Sequence, residues 1–222
     1  MRRRRHPWLA YALALGACRS GTRDAGAAAA LDSTPLGSSV AAWKITPGQF
    51  GPITSQTSEA DLRRHYQRSL DTTRVQLGEG ETTPGTILFP GDSLQRAEII
   101  WQDTVSRRHP ARVILRGDRS RWQLSHGITL GTTLQELERL NGRPFTLAGF
   151  GWDYAGVVTD WKGGALDAAL DGIKLYLDPG PAQHESAPYS QVLGDRDYAS
   201  SLPAMQQLRP RVTQIFVDFD QP

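Results

Sequence analysis

The chain has 222 residues, with 25 Lys or Arg and 23 Asp or Glu, so its formal net charge is +2. Four of the basic residues, Arg2 to Arg5, lie together at the amino end, which leaves 21 basic against 23 acidic side chains in the rest of the chain. A body this close to neutrality has no excess of Lys and Arg for nucleic acid or an anionic membrane surface, so we expect no nucleic-acid partner.

The amino end is predicted to be a cleavable export signal, residues 1–17. The arginine cluster is followed by an apolar run from Pro7 to Ala17 that ends in small side chains, which is the pattern of a secretory signal. A membrane-spanning helix needs roughly 20 apolar residues, and from Arg19 onward the sequence is polar. The segment is therefore too short to remain as a transmembrane anchor.

Cys18 is the only cysteine and directly follows this segment. The sequence Leu15-Gly16-Ala17-Cys18 resembles the lipobox of bacterial lipoproteins. The resemblance implies that Cys18 carries the lipid, including a fatty acyl chain such as palmitate, and anchors the mature protein to a membrane. A lone thiol would have no disulfide partner in an oxidising compartment, which also favours lipidation. The alternative is an ordinary signal peptide followed by a chance cysteine.

The lipobox resemblance also implies a location. Ser20 occupies the second position after Cys18, where the sorting pattern of the family associates a non-acidic residue with the outer membrane. We therefore expect an outer-membrane lipoprotein that faces the periplasm or the cell surface. Residues 18–42 are mostly Gly, Ala, Ser, Thr, Asp and Pro, with little to bury, and are predicted to form a flexible tether.

The remaining chain contains a candidate internal repeat at an offset of 75 residues. Residues 53–64 align without a gap on residues 128–139, with Ile, Thr, Thr, Leu and Arg at matching places, and residues 100–103 align on residues 175–178. Chance similarity between short segments of simple composition is the alternative. The alignment predicts two tandem repeats, 43–117 and 118–222.

Each copy of the repeat contains the start signal of a helix. Ser58 with Asp61, and Thr133 with Glu136, are a hydroxyl followed three residues later by a carboxylate, which is the capping-box pattern. After each helix the hydrophobic period becomes alternating, which indicates strands joined by short turns and hence antiparallel pairing. The fold class is therefore predicted to be α+β, with two helix-plus-antiparallel-sheet repeats.

The predicted strands lie in both halves of the chain, and the tight turn Asp171-Gly172 is expected to join two of them as a hairpin. A long loop is predicted from Asp178 to Ser201, a short helix from Leu202 to Leu208 and a closing strand from Val212 to Phe219. The other predicted strands are 72–77, 86–89, 98–101, 112–115, 144–152, 156–161, 165–170 and 173–177.

This layout resembles two families of binding proteins. A lipoprotein signal followed by a capped helix and a short antiparallel sheet looks like the small outer-membrane assembly lipoproteins, and the doubled unit looks like the tandem β-lactamase inhibitory proteins. The resemblance rests on Gly127-Ile128-Thr129, on the helix, and on Gly142-Arg143-Pro144-Phe145 after it. The first copy departs from it with Gln67-Arg68-Ser69. The resemblance implies the fold and a binding role, and no individual residue.

The sequence contains no recognisable constellation for catalysis, metal or cofactor binding. The histidines are isolated from one another, and no Gly-x-Ser-x-Gly elbow or complete dinucleotide fingerprint is present. Acid pairs can be drawn from Asp153, Asp160, Asp167 and Asp171, but nothing in the sequence places two of them within catalytic reach. We therefore predict no catalytic residues, no metal site and no cofactor.

The most unusual segment is the aromatic stretch from Gly149 to Trp161. Phe150, Trp152 and Tyr154 are predicted to alternate on one strand face, and two interpretations are open. The aromatic side chains pack against the helix that carries Leu134, Leu137 and Leu140, or they form an exposed platform for a partner. The candidate binding residues of such a platform are Trp152, Asp153, Tyr154 and Trp161.

Two functions follow from these observations. The first is a non-enzymatic module that is anchored to the membrane through Cys18 and binds another envelope protein. The alternative is a protein that binds or cleaves cell-wall glycan, using Asp153, Asp160 and the neighbouring tryptophans. The absence of a catalytic constellation favours the first.

Overall fold

The computed structural model describes residues 43–78, 80–152 and 154–219. The predicted signal segment, Cys18 and the tether lie outside these residues, and so does Asp153. No helix in the described part of the chain is long and apolar enough to cross a membrane.

The described chain forms twelve strands and five α-helices. The helices are α1 (Glu59–Tyr66), α2 (Leu134–Asn141), α3 (Leu166–Ala169), α4 (Ala187–Ser190) and α5 (Pro203–Leu208). The strands are β1 (Ile45–Thr46), β2 (Gln49–Phe50), β3 (Ile53–Thr54), β4 (Leu70–Gly78), β5 (Glu81–Leu88), β6 (Ala97–Asp103), β7 (Arg108–Arg116), β8 (Thr146–Ala148), β9 (Val158–Asp160), β10 (Ile173–Asp178), β11 (Asp197–Ala199) and β12 (Arg211–Asp218).

The main sheet has six strands in the order β10-β12-β7-β6-β5-β4, and every neighbouring pair is antiparallel. Strands β4 to β7 form a meander, and β12 and β10 extend the same sheet from the second half of the chain. Two small sheets, β1-β2-β3 and β11-β8-β9, complete the structure. The predicted α+β class with antiparallel sheets is confirmed, and one sheet crosses the boundary that was drawn at residue 117.

Three predicted elements are wrong. Residues 165–170 form helix α3 instead of a strand, because Leu166 and Leu170, four residues apart, are both buried and Asn141 Oδ1 accepts the Leu166 amide. The Asp171-Gly172 turn therefore joins a helix to β10 and not two strands. The predicted strand 144–152 shortens to β8, and the long loop after Asp178 contains α4 and β11.

The main core lies between the helices and one face of the six-stranded sheet. Helix α1 buries Leu62, and α2 buries Leu134 and Leu137. On the strands, residues that alternate along the chain point to the same face. The core side of the two central strands carries the buried side chains Val113 and Leu115 of β7 and Ile215 and Val217 of β12.

The opposite sheet face carries a second, smaller hydrophobic cluster. Its buried members are Val75 of β4, Ile114 of β7, Tyr176 of β10 and Phe216 of β12. In the sheet register Ile114 lies opposite Phe216, so the cluster spans the centre of this face. We call this side of the sheet the open face, since it lies opposite the main core.

Both helices begin with the predicted capping box. The Ser58 hydroxyl accepts the Asp61 amide at 3.2 Å, and the Thr133 hydroxyl accepts the Glu136 amide at 3.2 Å. Each carboxylate in turn accepts the backbone amide of its cap residue. The prediction of two capped helices at an offset of 75 residues is confirmed.

The loop before each helix is bonded in the same way. The Thr54 amide donates to the Thr57 hydroxyl and the Thr129 amide donates to the Thr132 hydroxyl, each at 3.0 Å. The cap residue then bridges to the first residues of a central strand, Ser58 to β7 and Thr133 to β12. The two helices are therefore joined to neighbouring strands through equivalent backbone contacts.

A buried carboxylate attaches α1 to the sheet. Glu59 accepts hydrogen bonds from Arg63 Nε at 2.7 Å, Thr72 Oγ1 at 3.0 Å and Thr86 Oγ1 at 2.8 Å, and Arg107 Nε lies 3.2 Å away. Burial by itself raises the pKa of Glu59, but the bonds from Thr86, Arg63 and Thr72 together outweigh it, and the pKa is lowered from its ordinary value of 4.5. The charged form is therefore the one that the fold stabilises.

The caps give a stability prediction. Ser58→Ala and Thr133→Ala should each lower the free energy of unfolding by about 0.5–2 kcal/mol, because each leaves a helix amide without its acceptor. The two losses should add in the double variant, since the caps share no contact. Chemical denaturation of the three variants measures this, and an unchanged denaturation midpoint for either single variant would contradict the role assigned to its hydroxyl.

Glu59→Gln should lower the free energy of unfolding at neutral pH by about 1–3 kcal/mol, because the charge-assisted bonds of a buried carboxylate are lost. A lowered pKa in the folded state contributes stability that is present above pH 4.5 and is lost as the pH falls through the folded value. The difference between wild type and variant should therefore be constant near neutrality and shrink in acid. Denaturation at several pH values tests this, and a difference that persists undiminished in acid would show that the charge is not responsible.

Candidate functional site

A groove of about 560 Å³ lies on the open face of the main sheet. Its floor is formed by the three strands at one side of the sheet, β7, β12 and β10, and its walls by the β4–β5 hairpin and by Tyr154. The floor residues are Arg112, Arg116, Gln214, Phe216, Lys174 and Tyr176. The hairpin contributes Gln76, Leu77, Gly78 and Glu81.

The β4–β5 hairpin forms a wall because it curls over the sheet. Strand β4 is three places away from β7, a distance of roughly 14 Å in a flat sheet, yet Arg116 Nη2 of β7 donates to the Gln76 carbonyl at 3.0 Å. Gly85 of β5 permits this curl, since a Cβ there would lie 2.6 Å from Val75 Cγ2 and 2.6 Å from the Ile99 carbonyl oxygen. Val75 is thus able to enter the small cluster on the open face.

The floor combines an aromatic ring with two guanidinium groups. The Arg112 and Arg116 guanidinium carbons lie 5.0 and 5.4 Å from the centre of the Phe216 ring, within the range of cation–π attraction. Tyr176 packs beside Phe216, with ring centres 4.7 Å apart. Burial raises the pKa of Tyr176, so its phenol stays neutral at physiological pH.

The two arginines differ in their bonding. Arg116 donates to Gln214 Oε1 and to the Gln76 carbonyl, and its Nε lies 3.4 Å from Glu98 Oε2. Arg112 forms an ion pair through Nε with Asp218, its neighbour across β7 and β12. Among the described residues, neither Nη of Arg112 has a hydrogen-bond partner. Arg116 is therefore committed to the sheet and the hairpin, whereas Arg112 retains donors for a ligand.

The Tyr154 wall is held in place by the segment that follows it. The Gly156 carbonyl accepts the Leu177 amide at 2.9 Å, and Val157 bridges to Tyr176 of β10. A Cβ at Gly156 would lie 1.9 Å from the Leu177 carbonyl oxygen, and its φ of +70° also favours glycine. The Tyr154 side chain is 67% exposed, and Leu77 on the facing hairpin is 42% exposed. Both apolar walls of the groove are thus accessible to a partner.

The structure separates the predicted aromatic residues. Residues 151–156 form turns, so the prediction that Phe150, Trp152 and Tyr154 alternate on one strand face is wrong; the glycines there adopt positive φ values that interrupt an extended chain. Phe150 is buried and stacks on Tyr189 with ring centres 5.6 Å apart. Trp152 is 65% exposed but does not line the groove.

Trp161 belongs to the core. It is 8% exposed and packs against Phe145, with ring centres 4.9 Å apart. The core interpretation of the aromatic segment therefore holds for Phe150 and Trp161, while Trp152 and Tyr154 are solvent-facing. Of the four candidate binding residues, Tyr154 alone lines the groove among those that the structure describes, and Asp153 lies outside them.

The environment of Asp160 is that of a turn residue. Its Oδ1 accepts the Lys162 amide at 2.6 Å, and its Oδ2 lies 2.9 Å from Lys162 Nζ. The side-chain and backbone bonds from Lys162 lower the pKa of Asp160. A glycosidase acid needs a raised pKa, so this carboxylate is poorly suited to that role. No group of three His, Cys, Asp or Glu side chains that could hold a metal ion occurs among the described residues.

The groove was missed in the sequence, although part of its signal is visible there. In β7, Arg112, Ile114 and Arg116 alternate with buried Val113 and Leu115, and β12 alternates in the same way. Charged and aromatic residues on one face of a strand indicate an exposed sheet face. The curl of the hairpin that turns this face into a groove depends on contacts between distant strands.

Comparison with family models, with curated proteins and with solved structures finds no match to this chain. The described chain defines an α+β protein whose antiparallel sheet has one face in the core and the other lined with aromatic and basic side chains.

The two tryptophans are predicted to respond differently to truncation. Trp161→Ala should lower the free energy of unfolding by about 3–5 kcal/mol, because it leaves a cavity beside Phe145. Trp152→Ala should change it by about 0.5 kcal/mol or less, as expected for an exposed side chain. Thermal melting of both variants decides this, and strong destabilisation by Trp152→Ala would show that this ring is packed rather than exposed.

Proposed function

We propose that this protein is an outer-membrane lipoprotein, anchored through Cys18, that binds another envelope protein without catalysing a reaction. The observation that carries the proposal is the groove on the open face, where exposed Leu77 and Tyr154 stand above the Phe216 ring and the Arg112 guanidinium. Aromatic and arginine side chains are the residues that most often anchor protein interfaces. The lipobox and the tether supply the membrane attachment.

The architecture of the groove supports a binding role more than a catalytic one. Its floor is a rigid sheet, and its walls are a hairpin and a turn that are both bonded to that sheet. Such a surface is formed before a partner arrives, which reduces the entropy lost on binding. The lining contains one carboxylate, Glu81, and that residue is exposed at the hairpin tip.

We further propose that the two halves of the chain descend from one duplicated helix-plus-sheet unit. The equivalent bonds at Thr57 and Thr132, and at the caps Ser58 and Thr133, support this, because four sequence positions at the same offset make the same contacts. The second unit differs by the insertion of β8, β9 and the surrounding loops between its helix and β12.

The alternative of a glycan-binding or glycan-cleaving protein receives less support. Asp160 is engaged by Lys162 and has a lowered pKa, and Trp161 is buried. A glycan would stack on exposed rings, and Trp152 and Tyr154 remain available for that contact. The distinction between protein and glycan therefore depends on what occupies the groove.

Photo-crosslinking in intact cells tests the proposal. A photoreactive phenylalanine analogue in place of Tyr154 should yield a discrete crosslinked protein band. The matched control is the same analogue at Val105, a 90% exposed residue at the tip of the β6–β7 hairpin, which should yield no such band. Loss of the band on Phe216→Ser in the groove floor would support the site. Crosslinking to peptidoglycan fragments alone, or equal bands from positions 154 and 105, would contradict it.

A further inference from the structure

The charges of the groove are unevenly distributed. Its lining contains the cations Arg112, Arg116 and Lys174 and one acid, Glu81. Arg116 is satisfied by Glu98, Gln214 and the hairpin, as described above. The cationic character that is left for a ligand therefore lies at the Arg112 and Lys174 side of the floor.

Arg112 is held in a defined orientation. Its Nε is fixed by Asp218, and its guanidinium lies against the Phe216 ring. Lys174 lies next to Phe216 in the register of β10 and β12, and its Nζ is 3.8 Å from the other oxygen of Asp218. One carboxylate is thus shared by two cations, which leaves a net positive charge beside an aromatic ring. Such a pre-oriented guanidinium is suited to two parallel bonds with a carboxylate.

We infer that the groove binds an acidic segment of the partner protein, with a carboxylate on the two Nη atoms of Arg112 and an adjacent apolar side chain between Phe216 and Tyr154. The inference rests on the proposed function and adds the chemistry of the partner to it. Arg112 supplies the donors, Lys174 adds attraction at longer range, and the aromatic and aliphatic walls bury the neighbouring side chain. A basic segment would meet three cations and is excluded by like-charge repulsion.

Peptide selection tests the inference without knowledge of the partner. The full-length protein, purified in detergent, is used to select binders from a phage-displayed library of random 12-residue peptides. Asp and Glu should be enriched in the selected peptides relative to the unselected library. Synthetic copies of these peptides should bind Arg112→Gln about tenfold more weakly or worse, and Arg112→Lys with intermediate affinity, since lysine keeps the charge but not the paired donors.

Two controls separate recognition from damage to the fold. Arg121→Gln removes an arginine that lies over Trp43, away from the groove, and should leave affinity unchanged. Asp218→Asn removes the carboxylate that competes for Arg112, so affinity for acidic peptides should stay the same or rise, whereas mere disruption of the sheet would lower it. Rising salt should weaken binding to the wild type more than to Arg112→Gln.

Two results would overturn the inference: selected peptides without enrichment in Asp and Glu, or acidic peptides that bind Arg112→Gln as tightly as the wild type. If those peptides nevertheless lose affinity on Tyr154→Ala, the groove remains a protein-binding surface and the carboxylate assignment alone fails. If they are indifferent to both variants, they bind outside the groove, and the carboxylate assignment fails with them. The proposed function is then judged separately by the crosslink at position 154.

Discussion

The antiparallel pairing of β7 with β12 is the contact on which the rest of the structure depends. It places Arg112 opposite Asp218 and Ile114 opposite Phe216, and it joins the two halves of the chain in one sheet. A shift of one residue in this register would move Phe216 to the core side and bring Ile215 to the open face, since strand side chains alternate with a period of two. The core and the groove are therefore determined by the same pairing.

The helices complete this arrangement from one side only. Each capped helix is joined to the first residues of its central strand, α1 to β7 and α2 to β12, so both helices pack on the same face. The Glu59 carboxylate adds a polar attachment for α1, and an all-apolar stripe with Leu134 and Leu137 attaches α2. The opposite face then depends on the curled hairpin and the Tyr154 turn for partial cover, and the uncovered part is the groove.

Local signals in the sequence were sufficient for much of this fold. The capping boxes at Ser58 and Thr133, the meander of β4 to β7, and the closing strand β12 all follow from spacing and alternation within a few residues. Helix α3 was mistaken for a strand, because its four residues are too few for a helical period and its attachment to Asn141 is not local.

The site was harder to predict than the fold. Tyr154 was identified as a binding candidate, but as part of a strand, whereas glycines at positive φ turn the chain there. Trp161 has the same residue type as Trp152 and lies in the core instead, because its surroundings include Phe145. The groove residues Arg112 and Phe216 become neighbours only through the β7–β12 register, which alternation within one strand does not specify.

Hydrogen–deuterium exchange tests most directly whether the open face is the binding surface. The full-length protein is compared with its complex with the protein that crosslinks at position 154. The account predicts slower exchange in the complex for the amides of 76–81, 112–116 and 174–176, and unchanged exchange for α1 and α2, because those elements lie on the opposite side of the sheet. Protection confined to the helices, with exchange at the groove unaltered, would contradict it.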